Sequence, residues 1–260
     1  MLIKYKPLSN KNYLSLAFEA VQIASKFAVN FYDDAGIVSL LNKDIKTNAD
    51  AKLNDIIINV LRKSNLPILS EENETNNIYD KDLYWVIDPI DGTYNFSRRF
   101  PVANISIALF SSGIPILGVI KDLYSKNMWY AIEGGGCFYN KQLVNVSNIS
   151  NISEAVLSTG FPSGSSFNYL ELNKLLNNIK QFKKIRMLGA ASSMLGYVAN
   201  GSFDVYYEND IYIWDVAAGL CLIREAGGEI FMKKNLDDHK YEILATNKCI
   251  FNKAKELLLI

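Results

Sequence analysis

The chain is poor in the side chains on which several classes of protein depend. It has a single histidine and three widely spaced cysteines, Cys137, Cys221 and Cys249, with no C-x-x-C pair. One histidine argues against a histidine-rich zinc site and against a mechanism built on a histidine base. Cysteines with this spacing predict reduced thiols in the core or at the surface, and no disulfide framework.

The chain also lacks an excess of either charge. Its 260 residues include 27 Lys and Arg against 27 Asp and Glu. Nucleic acids and anionic membranes select for a basic excess, so we expect neither as a partner. No apolar run reaches the ~18 residues of a membrane span, and the first residues do not resemble a signal peptide. The sequence therefore predicts a cytoplasmic protein.

Hydrophobic patterning divides the chain into two halves. Apolar residues at three- and four-residue steps predict helices over residues 13–31 and 50–62, with Asp50 as a helix cap. Short strands between residues 67 and 139 predict an antiparallel meander. Strands and helices alternate after a polar segment, with helices predicted at residues 169–179 and 190–199. We expect an α+β fold with an N-terminal antiparallel-sheet half, residues 1–150, and a C-terminal mixed-sheet half, residues 151–260, packed as one unit.

The most informative stretch is DPIDGTY, at residues 88–94. It follows an apolar, aromatic and β-branched run that predicts a buried strand. Pro89 fixes φ and cannot donate a ladder hydrogen bond, so we expect the strand to end there. The turn would then aim Asp88 and Asp91 into one small volume. Like charges held that close repel unless a cation lies between them, so the stretch predicts a divalent metal site.

Three further acidic residues belong with this stretch. Glu71 and Glu72 follow another short predicted strand, and Asp215 opens a predicted helix that continues with small or apolar residues. A carboxylate at a helix N-terminus can simply stabilise the helix dipole. Its apolar neighbours nevertheless predict burial of Asp215, where a carboxylate needs a partner.

An all-oxygen set of ligands without histidine or cysteine favours a hard ion. Mg²⁺ fits best because it keeps several waters and is completed by a substrate phosphate. Carboxylates that bridge two such ions suit the hydrolysis of phosphate esters. Gly92 and Thr93 would offer amide groups to the phosphate at a helix start. A structural or Ca²⁺ site, or unrelated surface acids, are the alternatives.

Two runs resemble the signature sequences of the inositol monophosphatases, which are lithium-sensitive, Mg²⁺-dependent phosphatases. The first is WVIDPIDGTYNF at residues 85–96 with RFP at 99–101, and the second is WDVAAG at 214–219. The similarity extends from about residue 13 to 247. It implies the family's layered α/β/α/β/α sandwich, commonly assembled as a homodimer.

The resemblance also implies metal ligands and catalytic residues. Glu71, Asp88 and the carbonyl of Ile90 would hold one Mg²⁺. A second ion would lie on Asp88, Asp91 and Asp215, and a third, weaker one on Glu71 with waters. Thr93, hydrogen-bonded to Asp50, would orient and help deprotonate the attacking water.

The same resemblance implies a substrate site. The amides of Gly92 and Thr93 would take the phosphate, beside Asp215. The alcohol part would lie against Gly189, Ala190, Ala191 and Glu208, with Glu208 accepting hydrogen bonds from hydroxyls. Two features depart from the family pattern. Residues 39–41 lack the lysine that many members have before the position of Asp44, and Ala190 replaces a usual threonine.

The choice of substrate rests on fewer residues. The run Asn95-Phe96 and the acid Glu208 favour inositol monophosphate or a similar polyol or sugar phosphate. The main alternative is a 3′(2′),5′-bisphosphate nucleotidase acting on 3′-phosphoadenosine 5′-phosphate. Histidinol-phosphate or fructose-bisphosphate phosphatase, or a binding relative without catalysis, are further alternatives.

Overall fold

Helices flank and separate two β-sheets. The structure, a computed structural model, describes residues 9–31, 37–41, 44–73, 78–162, 168–236 and 239–259. Its α-helices are α1 (Asn10–Ala28), α2 (Asn48–Leu61), α3 (Thr93–Ser97), α4 (Tyr169–Ile179), α5 (Ala191–Ala199), α6 (Ile213–Glu225) and α7 (Phe251–Leu258). Its strands are β1 (Ile37–Leu41), β2 (Asp44–Thr47), β3 (Ile68–Ser70), β4 (Leu83–Asp91), β5 (Asn104–Ser111), β6 (Ile114–Asp122), β7 (Met128–Ile132), β8 (Gly136–Tyr139), β9 (Gln142–Val144), β10 (Val156–Thr159), β11 (Lys184–Arg186), β12 (Val205–Tyr212), β13 (Glu229–Lys234) and β14 (Lys240–Thr246).

The two large sheets follow one another along the chain. The first has the order β3-β4-β5-β6-β7-β8-β9 and is antiparallel except for the parallel pair β3–β4. The second has the order β11-β10-β12-β14-β13 and is mixed, with β10 parallel to β11 and β12 and antiparallel pairing beyond. Strands β1 and β2 form a separate hairpin. The expected α+β class is confirmed.

Three apolar clusters define five layers. The residues of α1 and α2 pack on one face of the first sheet, and those of α5 and α6 fill the space between the sheets. Helices α4 and α7 cover the far face of the second sheet. Helix α6 lies so close to β6 that a Cβ on Gly118 would approach the carbonyl oxygen of Ala218 to 2.4 Å. The α/β/α/β/α sandwich expected from the sequence is therefore present.

Helix α2 begins earlier than the sequence pattern predicts. Its N-cap is Thr47, and Asp50 is the third helical residue, so the prediction of Asp50 as the cap residue is wrong. The Asp50 carboxylate instead accepts hydrogen bonds from the amide and hydroxyl of Thr47, at 2.6 and 2.7 Å. Thr47 and Asp50 form a capping box, in which the side chain of the third residue reaches back to the cap.

Among the described residues, no helix is long and apolar enough to cross a membrane. The side chains of residues 37–46, including the stretch 39–41 that lacks the family's lysine, lie outside the described part of the chain.

Candidate active site

A β-bulge in β4 aims two carboxylates in the same direction. The strand does not end at Pro89 as predicted, but continues to Asp91. Asp88 pairs with Ser106 and Asp91 with Asn104. The chain therefore advances three residues on β4 where it advances two on β5, which is the extra residue of a bulge. A proline without a ladder donor is tolerated at such a bulge. The extra residue reverses the alternation of side chains, so Ile90 packs with the core under α1 and α2 while Asp91 joins Asp88.

Three acidic side chains converge at this point. One carboxylate oxygen each from Asp88, Asp91 and Asp215 lies within 4.8 Å of the others. Asp215 comes from the first turn of α6, between the sheets. Glu71 follows β3 and lines the same cavity, because parallel β3 and β4 bring their carboxyl ends to one edge. The structure therefore brings together four of the five acids that the sequence singled out, and Glu72 is not among the residues that line the cavity.

The carboxyl groups of this cluster resist ionisation. Burial raises the pKa of Asp88 well above its usual value, and the nearby Glu71, Asp215 and Asp91 raise it further. Burial, Asp91 and Glu71 also raise the pKa of Asp215. Burial also raises the pKa of Asp91, to about 6, although hydrogen bonds from Ser192 and Ala191 oppose the shift. A cation would remove this cost of desolvation and repulsion.

The donor atoms suit a hard divalent ion. Asp88 Oδ1 accepts a hydrogen bond from the amide of Ile90 at 2.9 Å. Asp88 Oδ2 is buried and has no hydrogen-bond partner among the described residues. A buried carboxylate oxygen without a donor is costly unless something else compensates its charge. The orphaned oxygen, in an all-carboxylate cluster, fits a bound Mg²⁺.

Gly92 and Thr93 form the turn after the bulge. Gly92 has φ of 88°, and a Cβ there would lie 2.9 Å from the carbonyl oxygen of Val102, so only glycine fits. The Thr93 hydroxyl lies 3.1 Å from Asp50 Oδ1 and 2.9 Å from the carbonyl oxygen of Ile90. Asp50 itself is buried behind Thr93, and the residues that line the cavity do not include it.

The predicted substrate residues line the same cavity, which has a volume of about 240 Å³. They are Gly92, Thr93, Gly189, Ala190, Ala191, Glu208 and Asp215. Glu208 is 5% exposed. Burial and the nearby Asp91 raise its pKa to about 8, and the adjacent Tyr206 acts in the opposite direction. The cavity thus has a carboxylate cluster on one side and a protonatable acid on another.

Comparison with known proteins agrees with this geometry. Residues 10–258 match the sequence model of the inositol monophosphatase family. The chain belongs to the inositol monophosphatase family. It is 30% identical to the inositol-1-monophosphatase of a Synechocystis species over 98% of this chain and 91% of the relative. It is 34% identical to the Nus factor SuhB of Pasteurella multocida over 83% of each chain.

Solved structures of the family share the fold. The extragenic suppressor protein SuhB from Bartonella henselae superposes with a TM-score of 0.84 at 31% identity, covering 94% of this chain and 97% of its own. The IMPase of Thermotoga maritima gives a TM-score of 0.82 at 28% identity, covering 95% and 96%. As a member of the inositol monophosphatase family, the chain has the fold of a metal-dependent phosphatase.

Sequence reasoning missed the structural roles of two residues, Ser192 and Asn95, which hold this site together. Ser192, in the first turn of α5, donates to Asp91 through its amide at 2.7 Å and through its hydroxyl. Asn95 donates to the carbonyl oxygens of Val102 and Leu188, at 3.0 and 2.7 Å, and so ties α3 to the loop before α5. The only available signal was the pair of serines at a predicted helix start, where amide and hydroxyl donors can meet an anion.

The single histidine makes aromatic contacts that its charged sequence neighbours do not suggest. His239 lies in a turn before β14 and is only partly exposed. Its ring lies 5.5 Å from that of Trp214, and Nδ1 is 2.7 Å from the hydroxyl of Tyr79. The sequence neighbours of His239 are charged and give no sign of these contacts with Trp214 and Tyr79, which form only in the tertiary fold.

Proposed function

We propose that the protein is a Mg²⁺-dependent phosphomonoesterase that hydrolyses inositol monophosphate or a similar polyol or sugar phosphate. The convergence of Asp88, Asp91 and Asp215, with an orphaned oxygen on Asp88, is the observation that carries this proposal. Glu208 supports a polyol as the alcohol part, because a buried carboxyl group at the cavity wall can accept hydrogen bonds from hydroxyls.

The cluster offers ligands for two or three ions. Glu71, Asp88 and the carbonyl of Ile90 would hold one Mg²⁺, and Asp88, Asp91 and Asp215 a second, with a weaker third on Glu71. The Ile90 carbonyl already accepts from Thr93, but its second lone pair remains available. Bound Mg²⁺ supplies a lowered pKa for a coordinated water and stabilises charge on the leaving oxygen.

Thr93 and Asp50 would position the attacking water. The Thr93 hydroxyl has one proton, which it can give to Asp50 or to the carbonyl of Ile90. With that proton directed to a carboxylate, the hydroxyl oxygen becomes a better acceptor for a water in the cavity. Two hydrogen bonds from Thr47 hold the Asp50 carboxylate in place beside the Thr93 hydroxyl. The amides of Gly92 and Thr93 would bind the phosphate.

Phosphate release from inositol 1-phosphate tests the proposal directly. We expect turnover with Mg²⁺, no turnover with a chelator, and inhibition by Li⁺ at about millimolar concentration through competition for a metal position. Asp91→Asn keeps the acceptor oxygen for Ser192 but removes the charge, so it should fold normally and lose at least about 100-fold in kcat. Retained activity in this variant would remove Asp91 from the metal site.

A nucleotide phosphate is a second candidate because of the cavity mouth. Tyr94 and Phe161 line the cavity and remain 61% and 49% exposed. Exposed aromatic faces at an entrance can stack on a base, at about 1–3 kcal/mol per base. Assaying 3′-phosphoadenosine 5′-phosphate beside inositol 1-phosphate separates the candidates. A higher kcat/KM for the nucleotide would replace the polyol proposal.

A further inference from the structure

Tyr206 is a buried tyrosine in β12 whose hydroxyl has no role in the proposed chemistry. Its side chain has no solvent exposure, and the hydroxyl makes no hydrogen bond of good geometry with the described residues. A buried polar group without a partner destabilises the folded state, and native structures contain few of them. Phenylalanine would fill the same space without this cost. The hydroxyl therefore points to a role other than stabilising the fold.

The surroundings of Tyr206 place it beside Glu208, which lines the cavity, whereas Tyr206 itself is not among the lining residues. Tyr206 and Glu208 are two residues apart on β12, so both side chains lie on the same face of the sheet, about 7 Å apart along the strand. That face meets the layer of α5 and α6. On its other side, Glu208 Oε1 would be 2.6 Å from a Cβ placed on Gly160, so the backbone there limits where the carboxylate can turn.

The hydroxyl keeps its proton and is available as a donor. Burial and the nearby Glu208, Asp215 and Asp91 raise the pKa of Tyr206 well above its usual value, so the phenol keeps its proton. Of the groups around it, Glu208 lines the cavity on the substrate side. The Tyr206 hydroxyl and the Glu208 carboxyl are close enough for each to shift the pKa of the other, so Glu208 is an acceptor within reach.

We infer that Tyr206 is a positioning residue, which donates its hydroxyl hydrogen to Glu208 when Glu208 accepts a hydrogen bond from a substrate hydroxyl. The inference rests on the proposed function, in which Glu208 faces the alcohol part of a polyol phosphate. With one carboxylate oxygen held by Tyr206, the other is directed into the cavity as a preorganised acceptor. Tyr206 would thus act on the binding of hydroxylated substrates and leave the attack on phosphorus unchanged.

The variant Tyr206→Phe tests this with one atom removed, and Tyr207→Phe is its matched control. Tyr207 is the next residue on β12, faces the opposite side, and donates its hydroxyl to Glu242 Oε1 at 3.1 Å. We expect Tyr206→Phe to raise KM for inositol 1-phosphate by up to about tenfold, as the loss of one hydrogen bond does. Its kcat, and both constants for phenyl phosphate, which has no hydroxyl beside the ester, should change by less than about twofold.

Thermal unfolding of the metal-free proteins gives a readout independent of activity. Tyr206→Phe should melt at the wild-type temperature or above, because it removes an unpaired buried group, whereas Tyr207→Phe should melt lower with unchanged kinetics. An equal loss on both substrates, or a lower melting temperature for Tyr206→Phe, would overturn the inference. A wild-type protein that releases phosphate from neither ester would overturn the proposed function as well. Wild-type turnover with an unchanged KM in Tyr206→Phe would overturn the Tyr206 inference alone.

Discussion

At the scale of single residues, Asp91 shows how the protein prepares a carboxylate for a cation. Its two oxygens accept hydrogen bonds from the amides of Ala191 and Ser192 and from the Ser192 hydroxyl. These donors favour the charged form against a burial that disfavours it, so the pKa stays at about 6. The first turn of α5 therefore both orients the ligand and keeps it ionised at neutral pH.

Removal of the Ser192 hydroxyl should weaken metal binding without unfolding the protein. In Ser192→Ala the carboxylate loses its side-chain donor but keeps two amides, so the Asp91 pKa rises and its orientation loosens. Groups that orient metal ligands contribute about 10–100-fold to affinity, and we expect the lower end, about tenfold, for Mg²⁺. The Mg²⁺ dependence of phosphate release and calorimetric titration with Mg²⁺ both measure this change.

Ser193→Ala is the control for this prediction. The Ser193 hydroxyl accepts from the side-chain amide of Asn104 at 2.6 Å and does not bond Asp91. Its loss leaves a buried amide hydrogen unpaired, which should lower stability by about 1–3 kcal/mol and leave Mg²⁺ affinity unchanged. Equal Mg²⁺ affinities in Ser192→Ala and wild type would show that the amides alone hold Asp91.

At the scale of elements, the sequence predicted which segments form helices and strands better than how they end. Helix α4 lies at the predicted residues, because its apolar spacing is unambiguous. Strand β4 was predicted to stop at Pro89, because proline normally ends pairing, and the bulge that accommodates it depends on the partner β5. Strand β9 was not predicted, because a three-residue edge strand has no periodicity of its own.

Some residues of the candidate site could be predicted from the sequence and others could not. The acids Glu71, Asp88, Asp91 and Asp215 could be predicted, because uncompensated carboxylates after strands and at a helix start are unusual in apolar sequence. Ser192 and Tyr206 could not be predicted. Ser192 matters because it contacts Asp91, about 100 residues away in the chain. Tyr206 stands out only because its buried hydroxyl makes no hydrogen bond of good geometry in the folded structure.

The capping box of α2 links helix stability to catalysis. Burial raises the pKa of Asp50 to about 6, and the hydrogen bonds from Thr47 oppose this shift. In Thr47→Ala one of those bonds is lost, so the pKa should rise further, and the ionised form that accepts from Thr93 should disappear at a higher pH. We expect the acid limb of the kcat profile to move to higher pH, with a larger loss near pH 6.5 than near pH 8.

The same substitution has a separate structural effect. Loss of the N-cap hydroxyl should lower the free energy of unfolding by about 1 kcal/mol at either pH. Chemical denaturation measures this change independently of the pH profile. An acid limb that stays in place while stability falls would show that Asp50 only caps the helix and does not act through Thr93.

At the scale of the whole molecule, the site exists only when the layers are assembled. The first sheet supplies Glu71, Asp88 and Asp91, the second supplies Glu208, and α6 between them supplies Asp215. Five acids gathered in this way oppose folding unless something compensates their charge. The homodimer implied by the family resemblance stays a prediction, which sedimentation velocity would test.

Stability should therefore depend on pH and Mg²⁺ together. The folded-state pKa values of Asp91 and Glu208, about 6 and about 8, lie above their usual values of 3.8 and 4.5, and those of Asp88 and Asp215 are also raised. A carboxyl group with a raised pKa contributes stability that is complete below its unfolded value and is lost as the pH rises through its folded value. For this cluster, the metal-free protein loses stability between about pH 4 and about pH 8.

Mg²⁺ binds the ionised carboxylates, so its binding releases protons and becomes stronger over the same pH range. We expect the rise in melting temperature between chelator and saturating Mg²⁺ to be larger near pH 8 than near pH 5.5. Because each comparison is made at one pH, the titration of remote groups cancels. Asp91→Asn should show a reduced rise at both pH values. A rise of equal size at both pH values in the wild type would mean that the cluster is already ionised without metal, contrary to its burial and mutual repulsion.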